Sequence, residues 1–397
     1  MDSPHIVFVG SVIPRSEESE FPLMSHASAQ FQSRLLTALR RERFAVDMVV
    51  SVRQEPPRSR GGRLWMGAKR QSSDDGPLLQ LPFMNIVGLK TITLAIGAFL
   101  ALLWWSCTRR SSRRLILLYN LYPIPAAISL AVARLTGARV VAIVADLHVP
   151  GSGMRPAGLL HRMDLGLQTW AMPRLDGLVV LSSSMSADFA KQTPSIHVEG
   201  AAEDWGPVAA TGSRSAEFPI LYSGNLSEFR GVGLLLAAFA ELEDPRYRLW
   251  ITGRGDAEPE IRRAANDDSR ITYFGLVERA RLHELYAQAA VLVNPLRTHY
   301  ASARYLFPSK VLEYMASGTP VISTAHADFD AGYREHLFIL EDETPPALAH
   351  LIERVFAVTS AERGAFGIRA REFVLEKKNW TVQGRRLSAF LGEVLEH

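Results

Sequence analysis

The sequence predicts an α/β protein made of two doubly wound domains, each with a parallel sheet covered by helices on both faces. Strand-like apolar segments alternate with helix-like segments through the first half, polar and small residues collect at 199–216, and a second alternating series follows. Continuous apolar strands interleaved with helices are typical of parallel sheets that are buried on both faces. The 397 residues give room for two or three domains of ordinary size.

The first series predicts five strands with helices between them. The strand-like segments are, in chain order, HIVFVG, FAVDMVV, RLILLYN, RVVAIVAD and LDGLVVLS. The helix-like segments are AQFQSRLLTALRRE, an apolar run at 91–107, PAAISLAVARLTG and LLHRMDLGLQTWAM. Together they place a first domain at 1–205.

The stretch EGAAEDWGPVAATGSRSA is the best candidate for an interdomain linker, because small and turn-forming residues are concentrated in it. After it, the strand-like segments are FPILYSG, YRLWITG, RITYFG, VLVNPL and PVIST. The helix-like segments of this second series are GVGLLLAAFAELE, EPEIRRAAN, ARLHELYAQAA and SKVLEYMAS. They place a second domain at 217–375.

Composition excludes several classes of protein. An apolar fraction of 47% and a charged fraction of 21% are those of a folded globular protein, and a net charge of +3 gives no support to nucleic-acid binding. Cys107 is the only cysteine, so an internal disulfide and a cysteine-built zinc site are excluded, and a reducing compartment is indicated. The first residues lack a basic start and a long apolar core, so we expect no secretory signal there and a cytoplasmic location.

The apolar run TITLAIGAFLALLWWSC, at 91–107, is uncharged and at the short limit for spanning a bilayer. Trp104 and Trp105 resemble an interfacial belt, and arginines follow them. Two alternatives stay open: a helix buried in the core, and a helix lying partly in a membrane interface. Spanning is least favoured, because strands predicted before and after the run belong to one sheet. The second alternative predicts a peripheral contact with the inner face of an anionic membrane.

Ligands of open parallel sheets bind at the carboxyl ends of the strands, so the loops there are the candidates for chemistry. In YSGNLSEFRGVG, Gly224 and Gly231 permit tight turns, and Arg230 comes just before a helix start, where an anion is also favoured. The alternative is an ordinary strand-to-helix turn with a solvated arginine. In ITGRGDAEPEI, Gly253 and Gly255 follow a strand, which alone is weak evidence.

A third loop, FPSKVLEYMASGTPVIS, predicts a helix beginning near Pro308 or Ser309. Unpaired backbone N–H groups there would point at a phosphate, with Lys310 adding positive charge. Glu313 lies one turn further on the same face, where a carboxylate suits the two hydroxyls of a ribose. The alternatives are a capping box, although the spacing from Ser309 to Glu313 is one residue too long for it, and a Lys–Glu surface pair.

These stretches, in this order and spacing, resemble the nucleotide-sugar domain of the family 4 type glycosyltransferases. That family has the GT-B fold, in which two Rossmann-like domains face each other across a cleft. The resemblance is strong over 220–323 and weak over the first half. It also implies that a closing helix at 376–397 crosses back to the first domain, which would bind the acceptor.

The resemblance implies a set of donor-binding residues. Glu313 matches the second glutamate of the family's Glu-x7-Glu motif, which binds the donor ribose, and the backbone at 307–310 would hold the diphosphate. Arg230 falls at the position of a basic residue that contacts the same phosphates, and 275–277 would lie near the nucleobase. The whole implied set is Gly224, Asn225, Arg230, Gly253, Gly255, Gly275, Leu276, Pro308, Ser309, Lys310, Val311 and Glu313.

The sequence departs from the family pattern at two places in the second domain. The first glutamate of the motif falls at Tyr305, which puts its contact with the sugar hydroxyls in doubt. The family's Gly-Arg reads Gly224-Asn225 here, so one phosphate-binding cation is missing, and Lys310 is its candidate replacement.

The first domain offers weaker candidates. The loop after its first strand lacks the family's glycine pair, and Gly10 and Ser11 are the substitutes on the acceptor side. In ADLHVPG, Asp146 and His148 resemble the acidic or histidine residues that the family has at this strand end. His148 could bond the donor sugar or an acceptor hydroxyl, or it could be a loop histidine satisfied by backbone.

The resemblance therefore implies a hexosyltransferase that moves a sugar from a nucleoside-diphosphate donor to an acceptor, with retention and without a metal or other cofactor. Arg230 and Lys310 would stabilise the leaving diphosphate, with His148 and Asp146 as further catalytic candidates. The apolar run and its arginines indicate a lipid-linked or cell-surface polysaccharide precursor as acceptor. The alternatives are a sugar-nucleotide 2-epimerase, which shares the fold plan, and a non-catalytic scaffold that binds nucleotide sugar.

Overall fold

The computed structural model describes residues 4–14, 17, 26–44, 46–53, 55–56, 61–73, 76–109, 111–145, 159–189, 191–206 and 217–396, with no account of the side chains at 26–27 and 159–164. Asp146 and His148 lie outside the described residues. Contacts divide the chain into two units, Met1–Gly200 with Trp380–His397, and Ala201–Asn379. The predicted linker stretch thus begins in the first unit, and Ala201 opens the second.

The described part of the first unit contains the five predicted strands, which alternate with helices, and five further strands that the sequence did not predict. The strands are β1 (His5–Gly10), β2 (Val46–Ser51), β3 (Trp65–Met66), β4 (Lys69–Ser73), β5 (Gly76–Gln80), β6 (Phe83–Met84), β7 (Arg114–Tyr119), β8 (Arg139–Val144), β9 (Gly177–Val180) and β10 (Ser195–His197). The helices are α1 (His26–Arg41), α2 (Leu89–Thr108), α3 (Pro123–Thr136), α4 (Leu159–Ala171) and α5 (Ser183–Phe189).

Within the described part of this unit, eight strands form one sheet in the order β10-β9-β8-β7-β1-β2-β5-β4. All neighbours pair in parallel except β4 and β5, which form an antiparallel hairpin at the edge, and β3 pairs with β6 in a separate small sheet. The hairpin was not predicted, because its strand KRQSS is polar and mostly exposed and so lacks the apolar run of a buried strand.

Helix α2 contains the apolar run. Its buried side chains are Ala98, Ala101, Leu102, Trp105 and Ser106. The indole N–H of Trp105 donates to the carboxylate of Asp47 at 3.1 Å, so the expectation that Trp105 belongs to an interfacial belt is wrong. Trp104, one residue earlier, is exposed. In the described part of the chain, α2 alone is both long and apolar enough to cross a membrane.

The described second unit is a six-stranded parallel sheet in the order β13-β12-β11-β14-β15-β16. Its strands are β11 (Phe218–Asn225), β12 (Tyr247–Arg254), β13 (Ile271–Tyr273), β14 (Val291–Asn294), β15 (Val321–Thr324) and β16 (Phe338–Leu340). Its helices are α6 (Val232–Ala240), α7 (Glu258–Asp267), α8 (Arg279–Gln288), α9 (Lys310–Ala316), α10 (Ala331–Glu335), α11 (Pro345–Ala357) and α12 (Ser360–Lys377).

Two apolar clusters hold this sheet, one on each face. One joins β11, β12 and β14 to α6 and α11, and the other joins β11, β14 and β15 to α8, α9 and α12. This is the doubly wound arrangement that the sequence predicts, and it directs the loops after β11, β12 and β13 to the carboxyl edge of the sheet.

The last helix, α13 (Trp380–Glu396), belongs to the first unit. It packs on α1, where a Cβ at Gly384 would lie 3.0 Å from the Cβ of Ala38. Leu387, Phe390 and Leu391 join the core of the first unit.

Candidate active site

The carboxyl ends of β11 and β12 bring the predicted glycines together. The two strands pair in parallel with Gly224 opposite Gly253 and Asn225 opposite Arg254. Gly253 adopts φ +133°, and a Cβ there would lie 1.7 Å from the carbonyl oxygen of Gly224. Only glycine allows the two backbones to approach so closely.

Gly224 fits beneath the side chain of Lys310. Its φ is +142°, and a Cβ there would lie 1.4 Å from the Lys310 Nζ. The Lys310 ammonium donates a hydrogen bond to the backbone carbonyl of Ser223 and lies 5.6 Å from the ring centre of Tyr222. This hydrogen bond therefore holds the side chain of Lys310, the first residue of α9, against the end of β11.

Lys310 retains some exposed surface, but its ammonium end is desolvated. Burial lowers the pKa of Lys310 to about 8, while the negative charge of Glu313 raises it and the positive charge of Arg230 lowers it further. These effects show that Arg230, Lys310 and Glu313 share one electrostatic environment. The structure therefore brings together the three charged residues on which the sequence prediction depends.

Arg230 ends a 3-10 helix over Glu228–Arg230, and Gly231, with φ +77°, turns the chain into α6. This is the helix-start position that the sequence predicts. The guanidinium carbon of Arg230 lies 5.2 Å from the ring centre of Phe229. The residue is half-buried, so its charge acts on Lys310 through a partly desolvated region.

Buried tyrosine hydroxyls form hydrogen bonds with Ser223 near the end of β11, and the sequence did not predict these contacts. The Ser223 N–H donates to the Tyr314 hydroxyl at 2.9 Å, the Tyr314 hydroxyl donates to the Ser223 carbonyl at 3.0 Å, and the Ser223 and Tyr286 hydroxyls lie 2.6 Å apart. Burial raises the pKa of Tyr222, Tyr286 and Tyr314, so these hydroxyls stay protonated. The signal in the sequence is a tyrosine inside each of three otherwise core-like segments.

The start of α9 differs from the expectation in detail. The helix begins at Lys310 with Ser309 as the preceding cap residue, whose side chain makes no capping hydrogen bond. The Ser309 N–H donates to the Phe307 carbonyl and the Val311 N–H to the Pro308 carbonyl, both at 2.8 Å. The expectation of unpaired amides is therefore wrong for Ser309 and Val311, because the chain closes tight turns there before the helix is established.

The remaining residues of the predicted donor set lie at the same edge of the sheet. The Gly275 carbonyl accepts the Thr252 hydroxyl at 2.6 Å and the Gly253 N–H at 2.8 Å, which joins the loop after β13 to the end of β12. Leu276 follows with 66% of its surface exposed. Gly255 precedes α7, where its carbonyl accepts the Glu258 N–H at 3.2 Å.

Arg254 is a cation that the sequence prediction passed over. It is exposed and stands directly opposite Asn225, the position at which the resemblance leaves a phosphate-binding cation missing. The pattern ITGRG contains it, but nothing in the sequence shows that it pairs with the end of β11. Tyr305, at the place of the motif's first glutamate, is half-buried at the end of a 3-10 helix over Ala301–Tyr305.

In the first unit, Gly10 ends β1 and Ser11 follows it, and both pack against Gln32 of α1. The Ser11 N–H donates to the Gln32 side-chain oxygen at 2.9 Å, and the Gln32 amide donates to the Ser11 hydroxyl at 3.2 Å. A Cβ at Gly10 would lie 2.3 Å from the same Gln32 oxygen. Ser11 is therefore held by a buried side chain, and any acceptor contact there would compete with Gln32.

No three His, Cys, Asp or Glu side chains among the described residues are grouped so that they could hold a metal ion.

Comparison with known proteins identifies relatives of the unit that carries this site. Residues 217–357, all in the second unit, match the family model of the group 1 glycosyl transferases. They include the ends of β11, β12 and β13 and the whole of α9. No curated protein sequence matches the chain.

Solved structures resemble the whole chain. Sucrose-phosphate synthase from Thermosynechococcus elongatus has a TM-score of 0.68 at 16% identity, with 99% of each chain covered. Anabaena HepE in complex with UDP has a TM-score of 0.67 at 13% identity, covering 98% of this chain and 100% of that one. The lipopolysaccharide outer core galactosyltransferase WaaB has a TM-score of 0.63 at 14% identity, covering 98% and 99%.

These findings indicate a glycosyltransferase. Identities this low show the fold, and the predicted α/β fold of the GT-B type is confirmed. The family match places the glycosyltransferase segment in the unit that carries Arg230, Lys310 and Glu313.

Proposed function

We propose that this glycosyltransferase is of the retaining family 4 type and moves a hexosyl group from a nucleoside-diphosphate sugar to a lipid-linked or cell-surface polysaccharide precursor, without a metal. The observation that carries the proposal is the grouping of Arg230, Lys310 and Glu313 beside the glycine-lined end of β11.

The two cations suit the leaving group of this reaction. Breaking the bond between the anomeric carbon and the phosphate oxygen leaves negative charge on the diphosphate, which preorganised donors stabilise. One of the three N–H bonds of the Lys310 ammonium is directed at Ser223, which leaves two for phosphate oxygens. With a pKa of about 8, Lys310 is charged in about nine of ten molecules at neutral pH, and a bound diphosphate would raise that share.

The position of Glu313 supports its proposed role in binding the ribose of the donor. It lies one helical turn from Lys310 on α9, and its charge acts on both Lys310 and Tyr286. A carboxylate can accept hydrogen bonds from two vicinal hydroxyls, each worth about 1.5–3 kcal/mol when charge-assisted. The exposed Leu276 provides an apolar surface for the base. Retention rests on the family resemblance alone.

Structural neighbours indicate which donors to test. Anabaena HepE has been crystallised with UDP, with UDP and glucose and with UDP-glucose, and pneumococcal GtfA with UDP and GlcNAc. Starch synthase IV from Arabidopsis thaliana has been crystallised with ADP and acarbose. Uridine and adenosine diphosphates are therefore the first candidates for this chain, with guanosine diphosphate as a third.

The acceptor would bind the first unit, with Gly10, Ser11, Asp146 and His148 as its predicted contacts. We place the enzyme in the cytoplasm at the inner face of the membrane, where a lipid-linked precursor is accessible. The exposed apolar face of α2 supports this placement.

Calorimetric titration of the purified chain with UDP, GDP and ADP tests the proposal. We expect one diphosphate to bind and Glu313→Gln to weaken that binding by at least about tenfold. Binding of none of the three, or equal binding by Glu313→Gln, would contradict the proposed donor site. The anomeric configuration of the product, read by nuclear magnetic resonance, then tests retention.

A further inference from the structure

The first unit carries a concentrated apolar surface that the donor site does not use. Nine of the fifteen exposed large apolar side chains in the described residues lie between Leu64 and Trp104. They are Leu64, Trp65, Ile86, Val87, Leu89, Ile92, Ile96, Leu100 and Trp104. Exposed apolar side chains gathered in this way mark an interaction surface rather than ordinary scatter.

Helix α2 provides the axis of this surface. Ile92, Ile96, Leu100 and Trp104 are spaced four residues apart, so they follow one side of the helix, and each exposes more than half of its surface. The opposite side packs on the unit through Ala98, Leu102 and other small or apolar residues. The helix is thus apolar on both sides, while among the described residues only one side has a partner.

The topology excludes a transmembrane role for α2. β5 precedes the helix and β7 follows it, yet both belong to one sheet through the parallel pairs β5–β2, β2–β1 and β1–β7. A helix of this length is about 30 Å long, and crossing a bilayer would place its two ends on opposite sides. One hydrogen-bonded sheet cannot continue through hydrocarbon. The helix can therefore meet a membrane only with its exposed side lying along the bilayer surface.

The chain segment that carries this surface is basic, which favours an anionic partner. Between Arg53 and Arg114 the sequence has eleven basic and three acidic residues, although the whole chain has a net charge of only +3. The one acid of this segment that the structure describes is shielded, because Glu55 is buried and paired with the exposed Arg63. Anionic lipid surfaces attract such clusters, at about 1 kcal/mol for each Lys or Arg near the surface.

A cavity of about 500 Å³ opens at the C-terminal end of the helix, lined by Asp47, Arg70, Leu79, Trp104, Trp105 and Arg109, among others. Arg70 lies 5.5 Å from the Trp104 ring centre. Asp47, the acid in this cavity, already faces Arg109 at 3.5 Å, His5 at 2.9 Å and the Trp105 N–H at 3.1 Å. The cavity therefore combines Arg70, an Arg109 that already pairs with Asp47, and an apolar wall, which suits a phosphate attached to an acyl chain.

We propose that the outer face of α2, with Trp65, docks in the plane of an anionic lipid bilayer and that Arg70 and Arg109 bind a lipid phosphate beneath Trp104. Trp104 lies at the apolar–polar boundary, where indole rings are favoured. The helix enters the interface sideways, as an amphipathic anchor does. This proposal deepens the membrane placement made in the proposed function, but it depends on the first unit alone and stands whether or not the proposed donor is correct.

Flotation with vesicles of pure phosphatidylcholine and with vesicles that contain about 30% phosphatidylglycerol tests the docking surface. We expect the full chain to float with the anionic vesicles and to be released by high salt. Ile96→Asn with Leu100→Asn should reduce bound protein by at least about tenfold, because it puts polar groups into the acyl boundary. Ile368→Asn, an exposed apolar position in α12, is the matched control and should float like the wild type.

A further double variant separates the phosphate site from the apolar face. Arg70→Gln with Arg109→Gln should weaken binding to the anionic vesicles at least about fivefold and leave the residual binding to phosphatidylcholine unchanged. Circular dichroism and thermal unfolding check that every variant is folded. Retention of the protein by the vesicles after extraction with alkaline carbonate would indicate spanning and would overturn the proposal. Absence of the wild type from the anionic vesicles would also overturn it, as would a dimer in size-exclusion chromatography that only the apolar variants disrupt.

Discussion

The ammonium of Lys310, the first residue of α9, donates a hydrogen bond to the backbone carbonyl of Ser223, near the end of β11. This contact holds one phosphate-binding candidate over the glycine at position 224 and under the influence of Arg230 and Glu313. Because the end of β11 helps to bury this ammonium, the charge of Lys310 depends on the geometry of that strand end.

Lys310→Ala and Arg230→Ala should each lower turnover by about two to three orders of magnitude while the chain stays folded, because each removes a cation that faces the developing charge on the diphosphate. Release of nucleoside diphosphate measures the turnover. Lys377→Ala is the matched control, since Lys377 is an exposed lysine of the same unit paired with Glu376. Rates near that of the wild type in either site variant would remove its phosphate assignment.

The stability of the protein should depend on pH through Lys310. Burial lowers its pKa from 10.5 to about 8, so between these values the unfolded chain binds more protons than the folded chain. Stability rises with pH wherever this is so. We therefore expect the wild type to gain stability relative to Lys310→Met from pH 8 to pH 10, since other groups titrate alike in both. Urea unfolding at several pH values measures the difference, and a difference that stays constant or moves the other way would refute the buried ammonium.

Gly224→Ala should destabilise the protein by about 2–4 kcal/mol and abolish diphosphate binding, because the new methyl group would occupy the place of Lys310 Nζ at a positive φ. Gly392→Ala is the control. Gly392 has open space around its Cβ position within α13, and alanine there should be neutral or stabilising by about 0.5–1 kcal/mol. Thermal unfolding and calorimetric titration test both variants, and an unaffected Gly224→Ala would show that Lys310 does not lie over this strand end.

Tyr314→Phe should cost about 1–3 kcal/mol of stability, because it leaves the buried N–H of Ser223 without its 2.9 Å acceptor. It should also weaken diphosphate binding, since Ser223 carries the carbonyl that holds Lys310. The exposed Tyr122 provides the comparison, and Tyr122→Phe should change the free energy of unfolding by less than about 0.5 kcal/mol. Equal effects of the two substitutions would argue against a supporting role for the Tyr314 hydroxyl.

The sequence signals for the candidate site in the second unit are local. Glycine turns at strand ends, a proline and serine before a helix, and the three-residue spacing from Lys310 to Glu313 are all visible without knowledge of the tertiary structure. The contacts that the sequence did not predict depend on pairing between distant parts of the chain. Arg254 stands beside Asn225 only because β11 and β12 pair in that register, and the hydroxyls of Tyr286 and Tyr314 converge on Ser223 from two different helices.

The apolar run at 91–107 shows the same limit of prediction from sequence. Its composition indicated a helix that is apolar all round, but it did not show which side is buried. Trp104 and Trp105 are adjacent and about 100° apart on the helix, and the structure buries one while exposing the other. A helix that is apolar on every side carries no periodic signal from which burial can be assigned.

The most direct test of the proposed donor site is a crystal structure of the chain with the nucleoside diphosphate that binds in solution. We predict that its diphosphate contacts Arg230 and Lys310 and that its ribose hydroxyls bond the carboxylate of Glu313. A diphosphate bound elsewhere, with Glu313 away from the ribose, would contradict the account.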